Sequence, residues 1–353
     1  MTRSCPENYR GSQRFTYNFS KKTRVFLTTG IGILLVFCTF SCKQEPINTK
    51  MSGEVFGTSY GVQYYSEKNR SFQRQFDSLF DIINTSMSTY QKDSDISKIN
   101  RNEAFTIDEH FKNVFSASKE IYEATDGVFD PTIGVLVNAW DFGPEGKVVA
   151  LDSLKIDSLM LSVGLDKVTL NNNTITKENP NTFIDFNAIA KGYGVDVIAD
   201  FLESQNIKDY IVEIGGEIRC KGQNFEKQKP WKVGVELPHF DIEQSVLKTI
   251  SLYDEAMATS GTYRKFKTDS LGNRYSHILD PITGYPSKTN LLSISVIAKD
   301  CMTADAYATA FKAMGLEKVK AFLINHPELK VFLIFENDDR ELETLSLNGF
   351  PEE

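Results

Sequence analysis

Apolar positions along the chain change period several times, and each change marks an element. Between Val55 and Tyr65, β-branched and aromatic residues crowd around Gly57 and Gly61, which predicts one or two strands. From Phe72 the period lengthens, and Phe72, Phe76, Leu79, Phe80, Ile83 and Met87 recur at helical spacing. A second helix is predicted after Asp108, with Phe111, Val114, Phe115, Ile121 and Tyr122 on its buried face. Asn171-Asn172-Asn173, set between Val168-Thr169-Leu170 and Thr174-Ile175-Thr176, predicts a hairpin. A helix over 187–205 follows, then a strand over 210–214 that ends in Gly215-Gly216. Further strands fit 231–236, 246–252, 292–297 and 331–335, and 302–314 has the alanine content and apolar spacing of a buried helix. Helices and strands mix without regular βαβ alternation, so the expected fold class is α+β. No internal repeat, low-complexity segment or domain break interrupts the pattern.

The first 42 residues differ in kind. Lys21, Lys22 and Arg24 precede an uncharged run over 25–40, too short for an ordinary spanning helix, and Thr39-Phe40-Ser41-Cys42 follows. This resembles a bacterial lipoprotein signal, with Cys42 as the lipid-carrying residue; an uncleaved anchor helix is the alternative. Either reading puts the body in the cell envelope, on the periplasmic side of a membrane, expected to be the inner one. The expected division is a signal over 1–42, a polar tether over 43–52 and a folded domain over 53–353. Of the five cysteines, Cys220 and Cys301 would then remain in the body. Two cysteines make no disulfide framework, and both read as small core residues. The net charge of -8 gives no basic footprint for nucleic acid.

No G-x-S-x-G, H-E-x-x-H or Walker loop is present, and four histidines are too few for a histidine-rich metal site. The candidate chemistry lies in four clusters. Thr125-Asp126-Gly127-Val128-Phe129-Asp130-Pro131-Thr132, with Trp140-Asp141-Phe142-Gly143, suits either a loop around a planar ligand or an ordinary turn. Asp185-Phe186-Asn187-Ala188-Ile189-Ala190-Lys191-Gly192-Tyr193-Gly194 places a strand end, a helix start and a lysine together. Helix N-terminal amides and a nearby ammonium favour phosphate, although capping by Asn187 with a solvated lysine would read the same way. Ser260-Gly261-Thr262-Tyr263 accompanies Tyr275-Ser276-His277-Ile278-Leu279-Asp280-Pro281, where a hydroxyl-rich loop and an aspartate could orient His277. Thr303-Ala304-Asp305-Ala306-Tyr307-Ala308-Thr309 sets Asp305 and Thr309 four apart on one helical face, hard-oxygen donors suited to magnesium.

These clusters, with Phe56-Gly57-Thr58-Ser59-Tyr60, Met87-Ser88-Thr89-Tyr90, Asp93-Ser94-Asp95 and Asn100, resemble in order and wording the ApbE family of FAD:protein FMN transferases. The resemblance runs from about Phe56 to Gly315. It implies a T-fold-like α+β architecture. FAD, the substrate, would be held by Phe56, Tyr90, Val128, Phe129, Asp130, Asp185, Lys191, Ile278 and Leu279. Magnesium would sit between the Ala188 carbonyl, Asp305 and Thr309; some members carry a further aspartate where this chain has Ala308. The FMN half would pass to a threonine hydroxyl of a partner protein through a phosphodiester, releasing AMP, with His277 as general base. Acceptors in the family resemble Ser/Thr-Gly-Ala-Ser/Thr and are expected in subunits of respiratory ion-pumping complexes; this chain holds no such tetrapeptide. Two other readings share the same residues: an FAD pyrophosphatase yielding FMN and AMP, and a lipoprotein that binds FAD without chemistry.

Overall fold

Alternating burial along antiparallel strands builds the centre of the protein. The computed structural model describes residues 45–103, 106–238, 245–261, 266–268 and 274–352. Within the unit from Pro46 onward, eight strands form one antiparallel sheet. They are β1 (Ile47–Val55), β2 (Thr58–Ser66), β5 (Tyr210–Ile214), β6 (Glu217–Lys221), β10 (Ala256–Gly261), β13 (Leu291–Ala298), β14 (Lys330–Glu336) and β15 (Leu342–Leu347), adjacent in that order. The α+β expectation holds.

The two faces are covered differently. Tyr210, Val212 and Ile214 of β5, Ala256 and Ala258 of β10, and Val331, Leu333 and Phe335 of β14 meet helices. On that side α1 (Gln73–Met87), α3 (Glu109–Ala124), α6 (Ala190–Ser204) and α7 (Cys301–Met314) supply the apolar partners. The opposite face carries Met257, Ile297, Phe332 and Ile334 and is closed by the hairpin β8 (Lys229–Leu237) and β9 (Ser245–Leu252) through Trp231, Val233, Val235, Ile250 and Leu252. Period-two alternation therefore makes one sheet serve two cores.

Short elements fill the connections: α2 (Asp95–Asn100), α4 (Gly134–Ala139), α5 (Ser153–Met160), α8 (Leu316–Leu323) and the hairpins β3 (Val168–Asn171) with β4 (Thr174–Lys177) and β11 (Phe266–Thr268) with β12 (Arg274–Ser276). A two-residue strand, β7 (Gln223–Asn224), extends the β8–β9 sheet. Asn172 and Asn173 take φ of 44° and 69°, the left-handed pair that a tight hairpin turn needs. Asp108 caps α3 by accepting the Phe111 N–H at 2.8 Å. Cys220 and Cys301 are buried, unpaired thiols, as their core reading required.

Two expectations change. The body begins at Ile47, not near Gly53, because 47–52 pair with β2 along the sheet edge; only 43–46 remain between Cys42 and the fold. Ser260 and Gly261, expected in a loop, close strand β10. The expected signal, Cys42 included, and Thr262 and Tyr263 lie outside the described residues.

Candidate active site

A cleft of about 1140 Å³ is lined by every body residue expected at the site. Its floor depends on two glycines in α6. A Cβ on Gly192 would lie 2.3 Å from the Cys301 carbonyl oxygen and 2.8 Å from the Asp305 Cβ. Glycine thus lets α6 and α7 touch backbone to backbone. Two residues further, on the other side of the helix, a Cβ on Gly194 would meet the Phe56 ring at 2.7 Å. Phe56 itself sits in the turn between β1 and β2 at φ 52°, followed by Gly57 at 74°. A bulky residue in left-handed backbone is a strained arrangement, and here it turns the ring onto α6 and edge-on to Phe80, 5.7 Å away.

The two helices cap one another. α6 has no side-chain cap of its own, and the N–H of Gly192 in its first turn donates to Asp305 Oδ2 at 2.9 Å. In return Asp196 of α6 accepts the N–H groups of Cys301 and Met302 at 3.0 and 2.8 Å, while Asp300 accepts that of Thr303 at 2.8 Å. Each helix start is thereby satisfied by an aspartate. Arg219 of β6 donates to Asp196 at 2.9 Å. Burial nonetheless raises the Asp196 pKa to about 6, against the lowering pull of the two amides and Arg219.

This arrangement fixes the charged centre. Lys191 Nζ lies 2.6 Å from Glu217 Oε1 and 3.9 Å from Asp305 Oδ1. Burial works against the ammonium, but Asp305 and Glu217 outweigh it and raise its pKa, so it stays charged. Burial pushes the Glu217 carboxyl upward against the pull of Lys191. The Oε2 of Glu217 is buried without a hydrogen-bond partner. Thr309, one turn after Asp305, and Ala188, just before α6, line the same wall.

The opposite wall is a pair of loops. Asp130 Oδ1 accepts from the N–H and the hydroxyl of Thr132 at 2.7 and 2.6 Å, and the Pro131 carbonyl accepts the Asp185 N–H at 2.8 Å. Asp185, expected to end a strand, instead follows an isolated bridge between Ile133 and Phe183. Its Oδ1 accepts the Asn187 N–H at 2.8 Å, so Asp185 holds the turn where Asn187 was considered as a cap. Asn100 clamps the segment by pairing its side-chain amide with both backbone groups of Ile184, at 2.8 and 2.9 Å. Tyr90 stands at the mouth, 60% exposed. His277 reaches the cleft from the segment after β12, edge-on to Phe142 at 6.2 Å. Trp140, just after α4, ties that region to the turn following His277 by donating to the Gly284 carbonyl at 3.0 Å. Asp280 engages both oxygens within its own turn, with the Ile282 N–H and the Thr283 hydroxyl.

Glu217 and Asp196 were missed from the sequence. Glu217 and Arg219 alternate with Ile218 and Cys220 in β6, so two charges face the helices where apolar residues are normal; that alternation after Gly215-Gly216 is the available signal. The donors expected for magnesium would be the Ala188 carbonyl, the Thr309 hydroxyl and the Asp305 carboxylate, all on the lining of the cleft. Asp305 is buried with Oδ2 fixed by the Gly192 amide and Oδ1 turned toward Lys191. Among the described residues no group of three His, Cys, Asp or Glu side chains could hold a metal. The set fits a hard cation whose remaining ligands are substrate phosphate and water.

Comparison with known proteins places the chain in a family. A family model described as the ApbE family matches residues 56–333. An FAD:protein FMN transferase of Vibrio cholerae is 38% identical over 307 residues, 84% of this chain and 90% of that relative. One from Haemophilus influenzae is 35% identical, across 88% and 92%. Among solved structures, the flavin transferase ApbE of Vibrio cholerae aligns with a TM-score of 0.77 at 36% identity, over 85% of this chain and 97% of that one. The apo form of Pseudomonas stutzeri flavinyl transferase ApbE gives 0.76 at 27% identity, over 86% and 95%.

Proposed function

The chain belongs to the ApbE family, and from that premise we propose that it passes the FMN half of FAD to a threonine hydroxyl of a partner protein, with magnesium at the site. The coarse reaction comes with the family: this is a transferase that moves FMN from FAD to a protein. The observation that carries the finer reading is the convergence of Lys191, Asp305, Thr309 and His277 on one cleft.

Each residue then has work suited to its surroundings. Lys191, kept charged by Asp305 and Glu217, neutralises the pyrophosphate and the charge that moves onto the departing AMP. Phe56 and Tyr90, with the Val128-Phe129-Asp130 turn, Asp185 and Ile278-Leu279, hold the flavin nucleotide. The Ala188 carbonyl, Asp305 and Thr309 would hold magnesium, which would supply Lewis-acid charge at the pyrophosphate. The threonine oxygen bonds to the phosphorus of the FMN half as the bond from that phosphorus to the AMP phosphate breaks. His277 takes the hydroxyl proton, since threonine is a poor nucleophile near neutral pH. Acceptors with Ser/Thr-Gly-Ala-Ser/Thr-like segments, in subunits of respiratory ion-pumping complexes, are the partners this chemistry serves, and a lipid on Cys42 would hold the enzyme at the envelope membrane beside them.

The test incubates the protein with FAD, magnesium and a short peptide containing Ser-Gly-Ala-Thr. Flavinylated peptide and AMP are expected; free FMN and AMP with unmodified peptide would mean hydrolysis instead. Asp305→Asn keeps an oxygen for the Gly192 N–H while removing the carboxylate charge. It should fold, bind magnesium more weakly and transfer slowly. Unchanged magnesium dependence at full activity would remove Asp305 from the metal site.

A further inference from the structure

The eight-stranded sheet has a gap in it. β6 pairs with β10 only through Arg219 with Ala256 and Ile218 with Met257, because the β5–β6 hairpin turns back at Gly215-Gly216. β10 continues to Gly261, paired throughout with β13 on its other side. Past Met257, no strand among the described residues pairs with β10 on the β6 side.

The direction of the backbone there can be read off. The Cys220 N–H donates to the Glu255 carbonyl at 3.1 Å, so Glu255 and every second residue after it direct N–H and C=O toward β6. Met257 lies opposite Ile218, and Thr259 and Gly261 direct theirs past the end of the hairpin. The cleft passes through this opening. It is lined by Lys191, Glu217 and Asp305 on the helical face and by Ile218, Met257 and Thr259, whose side chains belong to the other face. An unbroken sheet would keep those two sets apart. Gly216, at φ 106°, lies on its rim, and a Cβ there would meet nothing within 4 Å.

We propose that the acceptor protein binds here as an added strand: an extended segment pairs with the backbone of Thr259 and Gly261 in the gap beside Gly215-Gly216 and so carries its hydroxyl to the Lys191–Asp305 centre. The inference rests on FMN transfer to a protein. A polypeptide hydroxyl must reach a phosphorus inside the cleft, which a folded surface cannot enter and an extended segment can. Main-chain pairing gives affinity without demanding much sequence, and glycine walls favour small residues in the segment.

The experiment uses the full-length enzyme, saturating FAD and magnesium, and a peptide series around Ser-Gly-Ala-Thr with one backbone amide N-methylated at a time. Alternate positions should raise the peptide KM by roughly three- to tenfold, the worth of one hydrogen bond, and intervening positions should leave it nearly unchanged. Amide hydrogen exchange at Thr259 and Gly261 should slow on adding peptide and not on adding FAD alone. A uniform response along the peptide, unchanged exchange with peptide, or equal protection by FAD alone would each overturn the added strand while leaving transfer intact. Absence of any flavinylated peptide would overturn the transfer reading and this inference with it.

Discussion

Asp130 lines the cleft and is at the same time a buried, hydrogen-bonded residue of the loop that carries it. Its Oδ1 takes two hydrogen bonds from Thr132, whose Oγ1 in turn accepts the Gly164 N–H at 2.7 Å. Burial still wins, and the carboxyl pKa rises to about 6. With a folded pKa above the value of about 3.9 for a free aspartate, the fold binds this proton more tightly than the unfolded chain does. The associated stability is present at low pH and is lost as pH climbs through about 4 to 6. Asp130→Asn keeps the acceptor oxygen and removes the charge. Without FAD it should therefore be more stable than wild type at about pH 8, by roughly 1–3 kcal/mol, and the difference should close at about pH 4. Denaturant unfolding at the two pH values measures this, and a variant less stable at both would refute it. His277 is read by rate: His277→Ala should slow single-turnover transfer by about 10²–10⁴-fold with FAD affinity nearly intact. Equal loss of affinity and rate would point to a structural histidine. Both residues were legible because they stand in local runs of distinctive wording. Glu217 and Asp196 were not, since each acts on a partner far along the chain, and a single acidic residue carries no spacing that announces it.

Between α6 and α7, sequence determines geometry through what is missing from a side chain. Gly192→Ala would drive a methyl group into the Cys301 carbonyl, which belongs to a helix backbone and cannot swing aside. The helices must separate, and the hydrogen bond from Gly192 to Asp305 goes with them. Overpacking and one lost buried hydrogen bond together predict destabilisation of roughly 2–4 kcal/mol. Transfer should fall further than the folded fraction does, because Asp305 is displaced from Lys191. A variant with wild-type stability and rate would show that the close approach is dispensable. The long elements were readable because α1, α3 and α7 repeat apolar residues over several turns, and β5, β8, β9, β13 and β14 are dense in β-branched or aromatic residues. The short ones were not: α2 and α4 span six residues each, too few to establish a period. β10 reads Ala-Met-Ala-Thr-Ser-Gly, a poor strand by propensity, and is extended because β13 and β6 pair with it.

For the whole molecule the question is whether the body depends on the segment before it. All of its apolar clusters draw on residues from Met51 onward, and β1 joins the sheet at Ile47. Folding and chemistry should therefore be independent of lipid attachment, while location should depend on it. Cys42→Ser removes the thiol that would carry the lipid and leaves the described fold unaltered. The expected result is unchanged thermal stability and unchanged transfer to a soluble peptide, with loss of lipid labelling and of partition into detergent. Among the described residues no helix is long and apolar enough to cross a membrane. Modification of a membrane-embedded acceptor in cells should then drop although activity in solution does not, because anchoring both proteins in one membrane raises their effective concentration. If the Cys42→Ser protein still partitions with detergent and takes up labelled lipid, the anchor is elsewhere. If it partitions without labelling, the uncleaved apolar run over 25–40 is holding it, and the signal is a membrane helix instead.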